Sequence, residues 1–279
     1  MVKTNNKQLD ATILMAVYKN DKPALFEKAF ESIFLNTRIP NEIILVIDGP
    51  INSELEYIIA KFKKKLELKI IRNIENLGLD KSLNIGLNYV TNEIIFRCDS
   101  DDYNNNHRFE IQFKYLEKHP NIAVIGSQID EYDDLGKYSG SRYVPLTSEN
   151  IKKFSRFRNP MNHQTIAMRK SVVKAVGGYP VNTVYKEDYI LWVRIIAQGY
   201  MLQNLTDSLV KVSAGDSLVK RRGGLRYAFG EYTVQKELIA AKISSLPLSI
   251  IVFVVKFSVY LIPSSILTFV YKKFLRSKA

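Results

Sequence analysis

Glu93-Ile94-Ile95-Phe96-Arg97-Cys98-Asp99-Ser100-Asp101-Asp102 is the stretch on which the fold turns. A short apolar run ends abruptly in three acids within four residues. Such a run, bounded by turn-forming residues, reads as a strand buried on both faces of a sheet. Two similar runs precede it, Ala11–Val17 and Glu42–Ile47, and Leu66–Arg72 alternates like a further strand. Helical periodicity separates them. Asp21 is placed to cap a helix with Pro23 in its first turn and Leu25, Phe26, Ala29, Phe30 and Ile33 on one face. Ser53–Lys64 and Lys81–Tyr89 give two more helices. Strand–helix alternation with short loops predicts an α/β fold with a mostly parallel central sheet flanked by helices. In such sheets ligands bind beyond the carboxyl ends of the strands. Each of those ends is polar here: Tyr18-Lys19-Asn20-Asp21, Asp48-Gly49-Pro50, Asn73 to Gly78, and Asp99 to Asp102.

Downstream the pattern is less regular. The spacing predicts a helix over Arg108–Lys118, strands over Ile122–Ser127 and Thr165–Met168, and a helix over Ser171–Val176 stopped by Gly177-Gly178. Glu187–Gln198 is a strongly amphipathic helix, with Leu191, Trp192, Ile195 and Ile196 on one side and Gly199 as its stop.

Composition narrows the partners. The 279 residues carry 40 Lys and Arg against 28 Asp and Glu, a net charge of +12, which points to a polyanionic partner. The basic groups cluster at Lys61–Lys65, Lys220–Arg226 and Lys272–Lys278, and the last borders the most apolar stretch of the chain. That favours an anionic membrane surface over nucleic acid. Within Leu246–Tyr271, Lys256 interrupts the apolar run and Pro263 breaks it. Each part is shorter than the ~20 residues of a membrane span, so helices lying in the interface are expected. One cysteine, Cys98, excludes an intrachain disulfide, and no cleavable leader is visible, so a cytoplasmic location is expected.

Four constellations carry chemistry. Asp99 and Asp101, two apart at a strand end, can share a hard cation, Mn²⁺ or Mg²⁺, which prefers oxygen ligands. As an alternative they form an acidic turn. Glu187-Asp188 opens a helix, where acids complement the helix dipole or present one carboxylate as a general base. His163, in Asn159-Pro160-Met161-Asn162-His163-Gln164, is either a loop histidine or a donor to a phosphate or an acceptor. Arg221 and Arg222, beside Gly223-Gly224, could close over a diphosphate.

Taken in order, Val17-Tyr18, Ile47-Asp48-Gly49, Asn76-Leu77-Gly78 with Asn84-Ile85-Gly86, Asp99-Ser100-Asp101-Asp102, Gly177-Gly178-Tyr179 and Glu187-Asp188-Tyr189-Ile190-Leu191-Trp192 resemble glycosyltransferase family 2, inverting enzymes of the GT-A fold. The likeness covers about residues 11–230. It implies a catalytic domain over residues 1–230 and a C-terminal helical, membrane-associating segment over 231–279. It implies donor contacts from Tyr18, Asp48, Asn76, Lys81, Asp99, Ser100, Asp101, Arg221 and Arg222, with Asp99 and Asp101 on the metal. It implies Asp188 as the catalytic base, and an acceptor side built by His163, Glu187 and Trp192. The expected reaction passes glucose or galactose from a UDP-sugar to a sugar on a polyprenyl diphosphate, in building O-antigen or capsule units at the cytoplasmic face of the inner membrane. Asp48 is followed by Gly-Pro, and Asp80-Lys81 replaces the small residues commoner in the family, so donor preference stays open. A nucleotidyltransferase would need a glycine-rich, basic loop after the first strand, where Tyr18-Lys19-Asn20-Asp21 stands. A non-catalytic binder of anionic lipid or nucleic acid would not depend on Asp101 or Asp188.

Overall fold

In the computed structural model, residues 8–133, 136–213 and 225–260 are described. The first half alternates as the sequence predicts: β1 (Leu9–Val17), α1 (Pro23–Phe34), β2 (Pro40–Ile47), α2 (Ser53–Lys63), β3 (Leu68–Arg72), α3 (Leu79–Leu87) and β4 (Ile94–Arg97). β5 (Tyr103–Asn104), α4 (Arg108–Lys118), β6 (Ile122–Tyr132), β7 (Tyr138–Arg142), α5 (Ser148–Phe154), β8 (Ala167–Arg169), α6 (Lys170–Ala175), α7 (Glu187–Ala197) and β9 (Met201–Ser213) follow. Two helices, α8 (Leu225–Ala240) and α9 (Leu246–Tyr260), end the described chain.

Nine strands among the described residues form one sheet, ordered β3-β2-β1-β4-β8-β6-β9-β5 with β7 beside β6. From β3 to β4 every pairing is parallel. Beyond β4 the sheet is mixed: β8 runs antiparallel to β4 and β6, while β9 runs parallel to β6. Side chains alternate across the sheet with the period of two that strands impose. Ile43, Leu45 and Ile47 join Phe26, Phe30 and Phe62 of α1 and α2, whereas Ile44 and Val46 join Leu83, Leu191 and Trp192 of α3 and α7. Two apolar layers thus hold the helices on opposite faces.

Local chemistry explains the boundaries. Asn52 accepts from the Leu55 N–H at 2.9 Å, and Glu54 and Glu56 lie in the first turn with Lys61 and Lys63 in the last, so α2 is capped and matched to its dipole. Gly86 lets α3 lie against the sheet: a Cβ there would stand 2.5 Å from Leu14 Cδ1 and 2.9 Å from Val46 Cγ2. Asp21 does not cap α1. The cap position is Lys22, without a side-chain bond, and the Asp21 carboxylate turns towards the end of β4 instead. β6 runs past the expected Ser127 to Tyr132, because buried Gln128 is satisfied in place: its amide donates to Val144 O and Leu205 O and accepts from the Val144 N–H. His163–Thr165 is a 3₁₀ turn rather than the start of a strand, and β8 begins at Ala167.

α8 crosses residue 230 without a break. Its Val234 and Leu238 pack with Tyr189, Ile190 and Val193, so α8 is fastened to α7. On α9, Leu246, Ile250, Ile251, Val254, Val255 and Val259 are exposed. No helix among the described residues is long and apolar enough to cross a membrane.

Candidate active site

The carboxyl ends of β1 to β4 are joined by side chains. Ser100 Oγ donates to Asp21 Oδ2 at 2.8 Å, and the Tyr18 N–H donates to the same oxygen at 3.1 Å. One carboxylate therefore ties the turn after β1 to the turn after β4, across 79 residues of sequence. Asp48, buried at the end of β2, holds the loop after β3. Its Oδ1 accepts from the Leu77 N–H at 2.8 Å and from Asn73 Nδ2 at 2.9 Å, and its Oδ2 from the Gly78 N–H at 2.9 Å. Asn76 closes the same loop by donating to Asp48 O at 3.2 Å. Gly49, at φ 82°, leaves room for that approach, since a Cβ would stand 2.7 Å from the Asn76 nitrogen. A carboxylate has about four lone-pair directions, so Asp48 retains one on Oδ2 for a ligand. Lys81 presents an exposed side chain in the first turn of α3.

Asp99, Asp101 and Asp102 lie with carboxylate oxygens within 4.8 Å of one another. Burial and the charge of Asp99 push the Asp101 carboxyl up to about 6. Burial, followed by Asp99 and Asp101, raises Asp102 well above the carboxylate range, and burial raises Asp21. Three carboxylates crowded together, two of them raised by burial and by their neighbours' charge, are a fitting donor set for a divalent cation, whose charge would relieve both causes. Asp102 joins Asp99 and Asp101 here, an addition to the expected pair.

Arg97 went unnoticed in the sequence. Its guanidinium is fully buried, pairs with the Asp99 carboxylate and leaves Nε and Nη1 without partners. Its charge reaches Asp21, Asp101, Asp102 and Glu187. A charge inside an apolar strand must be paired, so Arg97 within Ile94-Ile95-Phe96-Arg97 was a readable signal. Behind it Arg108, also buried, donates to Arg97 O at 2.7 Å and to the Asn104 side chain, fixing the backbone that carries the acids.

A second acidic group opens α7. Burial raises the Tyr179 phenol, and the charges of Asp188, Glu187 and Asp99 all push it the same way. Asn84 of α3 holds Tyr179 by both backbone groups, donating to its carbonyl at 2.7 Å and accepting from its N–H at 2.8 Å. Gly178, at φ 76°, permits this, because a Cβ would stand 2.6 Å from Asn84 Oδ1. His163 Nε2 lies 3.0 Å from the Tyr179 hydroxyl, and burial with the Arg97 charge lowers its pKa well below normal, so the ring is neutral. Asp188 Oδ2 accepts from Asn159 Nδ2 at 2.6 Å, and Oδ1 accepts from the Tyr189 N–H at 2.7 Å. Burial raises the Asp188 carboxyl, opposed by those two bonds. Burial and Asp188 push Glu187 up to about 7.

Trp192 does not belong with this group. It is fully buried among Leu191, Ile195 and Met161, with its ring 6.1 Å from His163. Helical periodicity put it on the apolar side of α7, and that side is core, so no acceptor can touch it. Arg221 and Arg222 lie outside the described residues.

The model of glycosyl transferase family 2 matches residues 12–177. Over 266 residues the chain is 34% identical to the Escherichia coli UDP-Gal:alpha-D-GlcNAc-diphosphoundecaprenol beta-1,3-galactosyltransferase, covering 95% of this chain and 96% of that protein. Over 262 residues it is 35% identical to the amylovoran biosynthesis glycosyltransferase AmsE of Erwinia amylovora, covering 94% and 98%. Residues 1–349 of S. aureus TarS, crystallised with UDP, share the fold at a TM-score of 0.63 and 16% identity, covering 83% of this chain and 66% of that one. The chain spans 43% of the longer TarS chain. The architecture is thus a GT-A-like α/β fold.

Proposed function

The chain belongs to glycosyl transferase family 2, and on that premise we propose that it moves a hexose, glucose or galactose, from a UDP-sugar to a hydroxyl of a sugar carried on a polyprenyl diphosphate. The observation that carries this reading is the cluster of Asp99, Asp101 and Asp102 at the end of β4, with Asp99 and the Glu187-Asp188 pair both acting on Tyr179. Asp99, Asp101 and Asp102 would hold a divalent cation, Mn²⁺ or Mg²⁺. When bound, the cation offsets the charge that grows on the diphosphate of departing UDP. Asp48 shapes the loop that receives the nucleoside, and Tyr18 and Ser100 line its other side. Arg97, paired with Asp99, holds that carboxylate in place beside its acidic neighbours.

Asp188 takes the proton of the acceptor hydroxyl as its oxygen bonds to the anomeric carbon and the bond from that carbon to the phosphate oxygen breaks. One displacement inverts the centre, so an α-linked donor gives a β-glycoside. Asn159 keeps the Asp188 carboxylate turned and ionised, and neutral His163 donates or accepts without adding charge. The likeness to the galactosyltransferase along nearly the whole of both chains supports a lipid-diphosphate acceptor. The TarS complex with UDP supports a uridine donor. AmsE supports a place in surface polysaccharide building. The exposed apolar face of α9, together with the basic residues of Lys272–Lys278, supports docking on an anionic bilayer at the cytoplasmic face of the inner membrane.

The test is UDP release from a panel of UDP-sugars with Mn²⁺ and a synthetic GlcNAc-diphosphate-lipid acceptor, for wild type and Asp188→Asn. Metal-dependent turnover that Asp188→Asn abolishes is the expected result. Absence of turnover with every donor and acceptor would move the chain to the non-catalytic binders.

A further inference from the structure

Behind the Glu187-Asp188 turn lies a second group of charges for which the transfer has no use. Glu231, on α8, is fully buried. Its Oε1 accepts from Lys256 Nζ of α9 at 2.8 Å and from Gln235 Nε2 at 2.9 Å. Its Oε2 has no hydrogen-bond partner and faces Lys186 Nζ at 3.8 Å. Lys186 is only 5% exposed and immediately precedes Glu187 at the start of α7. Its ammonium lies 3.8 Å from the Tyr227 ring centre and 5.5 Å from that of Tyr260. Burying a lysine costs several kcal/mol unless its charge is met, and here Glu231 and two ring faces meet it.

The segment leading into Lys186 is strained. Asn182, Val184 and Tyr185 have φ of 61°, 48° and 62°, in the left-handed region that a β-branched residue such as Val184 rarely enters. Such conformations cost about 1–3 kcal/mol each and persist only where the surroundings impose them. Two helices impose this one. Asp80 of α3 accepts from the Asn182 N–H at 3.0 Å. On the other side Gly230 of α8 admits the loop, since a Cβ there would stand 2.7 Å from Val184 O and 3.1 Å from Lys186 Cγ. Glu231, the next residue, holds the charged end of the same clamp.

We propose that Glu231 is a positioning residue for Asp188, acting through Lys186, an inference that rests on the reading of Asp188 as base. Glu231 fixes the Lys186 ammonium, Lys186 fixes the strained loop, and the loop sets where α7 begins and where the Asp188 carboxylate points. Lys186 also helps keep Asp188 ionised. The same carboxylate binds Lys256, the only charged residue of α9, so the apolar helix and the base share one anchor.

The test is a double-mutant cycle of Glu231→Gln and Lys186→Met, read by sugar transfer and by amide hydrogen exchange. Glu231→Gln lowers kcat about tenfold with the donor KM within about twofold, because it displaces the base and leaves donor contacts alone. Exchange at residues 182–188 speeds about tenfold while β1 and β4 are unchanged. With Lys186→Met already present, Glu231→Gln changes kcat less than about twofold. Gly230→Ala, which leaves every charge in place, reproduces the faster exchange and the lower kcat. Additive losses, or wild-type kcat and exchange in Glu231→Gln, overturn the proposal. Wild-type turnover in Asp188→Asn would instead overturn the base assignment beneath it, and the exchange measurement reads the clamp whether or not turnover is seen.

Discussion

The two acidic groups of the candidate site are both built from carboxylates and differ because of what holds them. Asp99, Asp101 and Asp102 follow a strand end, where an extended turn throws their oxygens together within 4.8 Å. Glu187 and Asp188 open a helix, where each carboxylate is directed by its own surroundings and Asp188 is pinned by Asn159 and by the Tyr189 N–H. Burial is the largest cause of a raised carboxyl in both. The first group converges on a point, and a point charge answers it. The second presents one directed oxygen, and a directed proton answers that. Geometry rather than composition separates the proposed cation site from the proposed base.

The largest effect that can break this comparison is the loss of the base. Asp188→Asn is expected to lower kcat about 10²- to 10⁴-fold, the range for removing a positioned general base. Donor KM and the dependence on Mn²⁺ concentration stay near wild type. Asp101→Ala is expected to lower turnover at fixed Mn²⁺ by a smaller factor, about 10- to 100-fold, and to recover part of it as Mn²⁺ is raised. If the two variants responded alike to added Mn²⁺, the division of roles would fail. Initial rates over a Mn²⁺ series for both proteins decide it.

How readable this was differs across the molecule for physical reasons. β1, β2 and β4 are largely buried and show as mainly apolar runs, whereas edge strand β3 alternates, and the acids that follow β4 stand out against its run. The second half hides its strands. β9 alternates exposed and buried positions through polar residues, and β6 continues through Gln128, whose amide is satisfied only once the chain has folded. Asp21 reads locally as a helix cap, because nothing nearby in sequence announces a hydroxyl 79 residues away. Trp192 reads as a site residue only through the family resemblance, while its periodicity already sets it on the apolar side of α7, which is core. The clasp of Asn84 on Tyr179 is the reverse case: its glycine and asparagine are visible in the sequence, but the partnership spans 95 residues.

Protons and metal separate the two groups without turnover. Asp101, at about 6, and Glu187, at about 7, are raised above their ordinary values of 3.8 and 4.5. A raised carboxyl favours the fold while protonated, so its contribution is full below the unfolded value and is lost as pH climbs through the folded one. Metal-free protein is therefore expected to lose melting temperature between about pH 4 and pH 7. Mn²⁺ at about a hundredfold over its dissociation constant adds roughly 2.7 kcal/mol, some 5–10 °C, near pH 7.5. The gain shrinks near pH 5.5, where the proton on Asp101 competes with the cation. Glu187 lies outside the Asp99, Asp101 and Asp102 cluster, so the decline near pH 7 is expected to persist in saturating Mn²⁺. A scanning-fluorimetry grid of pH against Mn²⁺ reads both, and a decline that Mn²⁺ removed entirely would place Glu187 in the cation site.

The smallest effect sharpens the other half of the comparison. Asn159 donates to Asp188 Oδ2, and a hydrogen bond to a carboxylate favours its charged form. Removing the donor in Asn159→Ala raises the Asp188 carboxyl further, so the acid limb of the kcat/KM profile moves to higher pH by about one unit, the scale of one hydrogen bond to a charged group. Well above that limb Asp188 is ionised in both proteins, and the remaining loss reflects orientation alone, about two- to fivefold. The Tyr189 N–H still holds Oδ1, which keeps that loss small. Rates measured from pH 5 to 9 separate the two contributions. A uniform drop with an unmoved limb would mean that Asn159 orients the base without tuning it. An unmoved limb in Asn159→Ala together with a shifted limb in Glu187→Gln would move the titrating group from Asp188 to its neighbour.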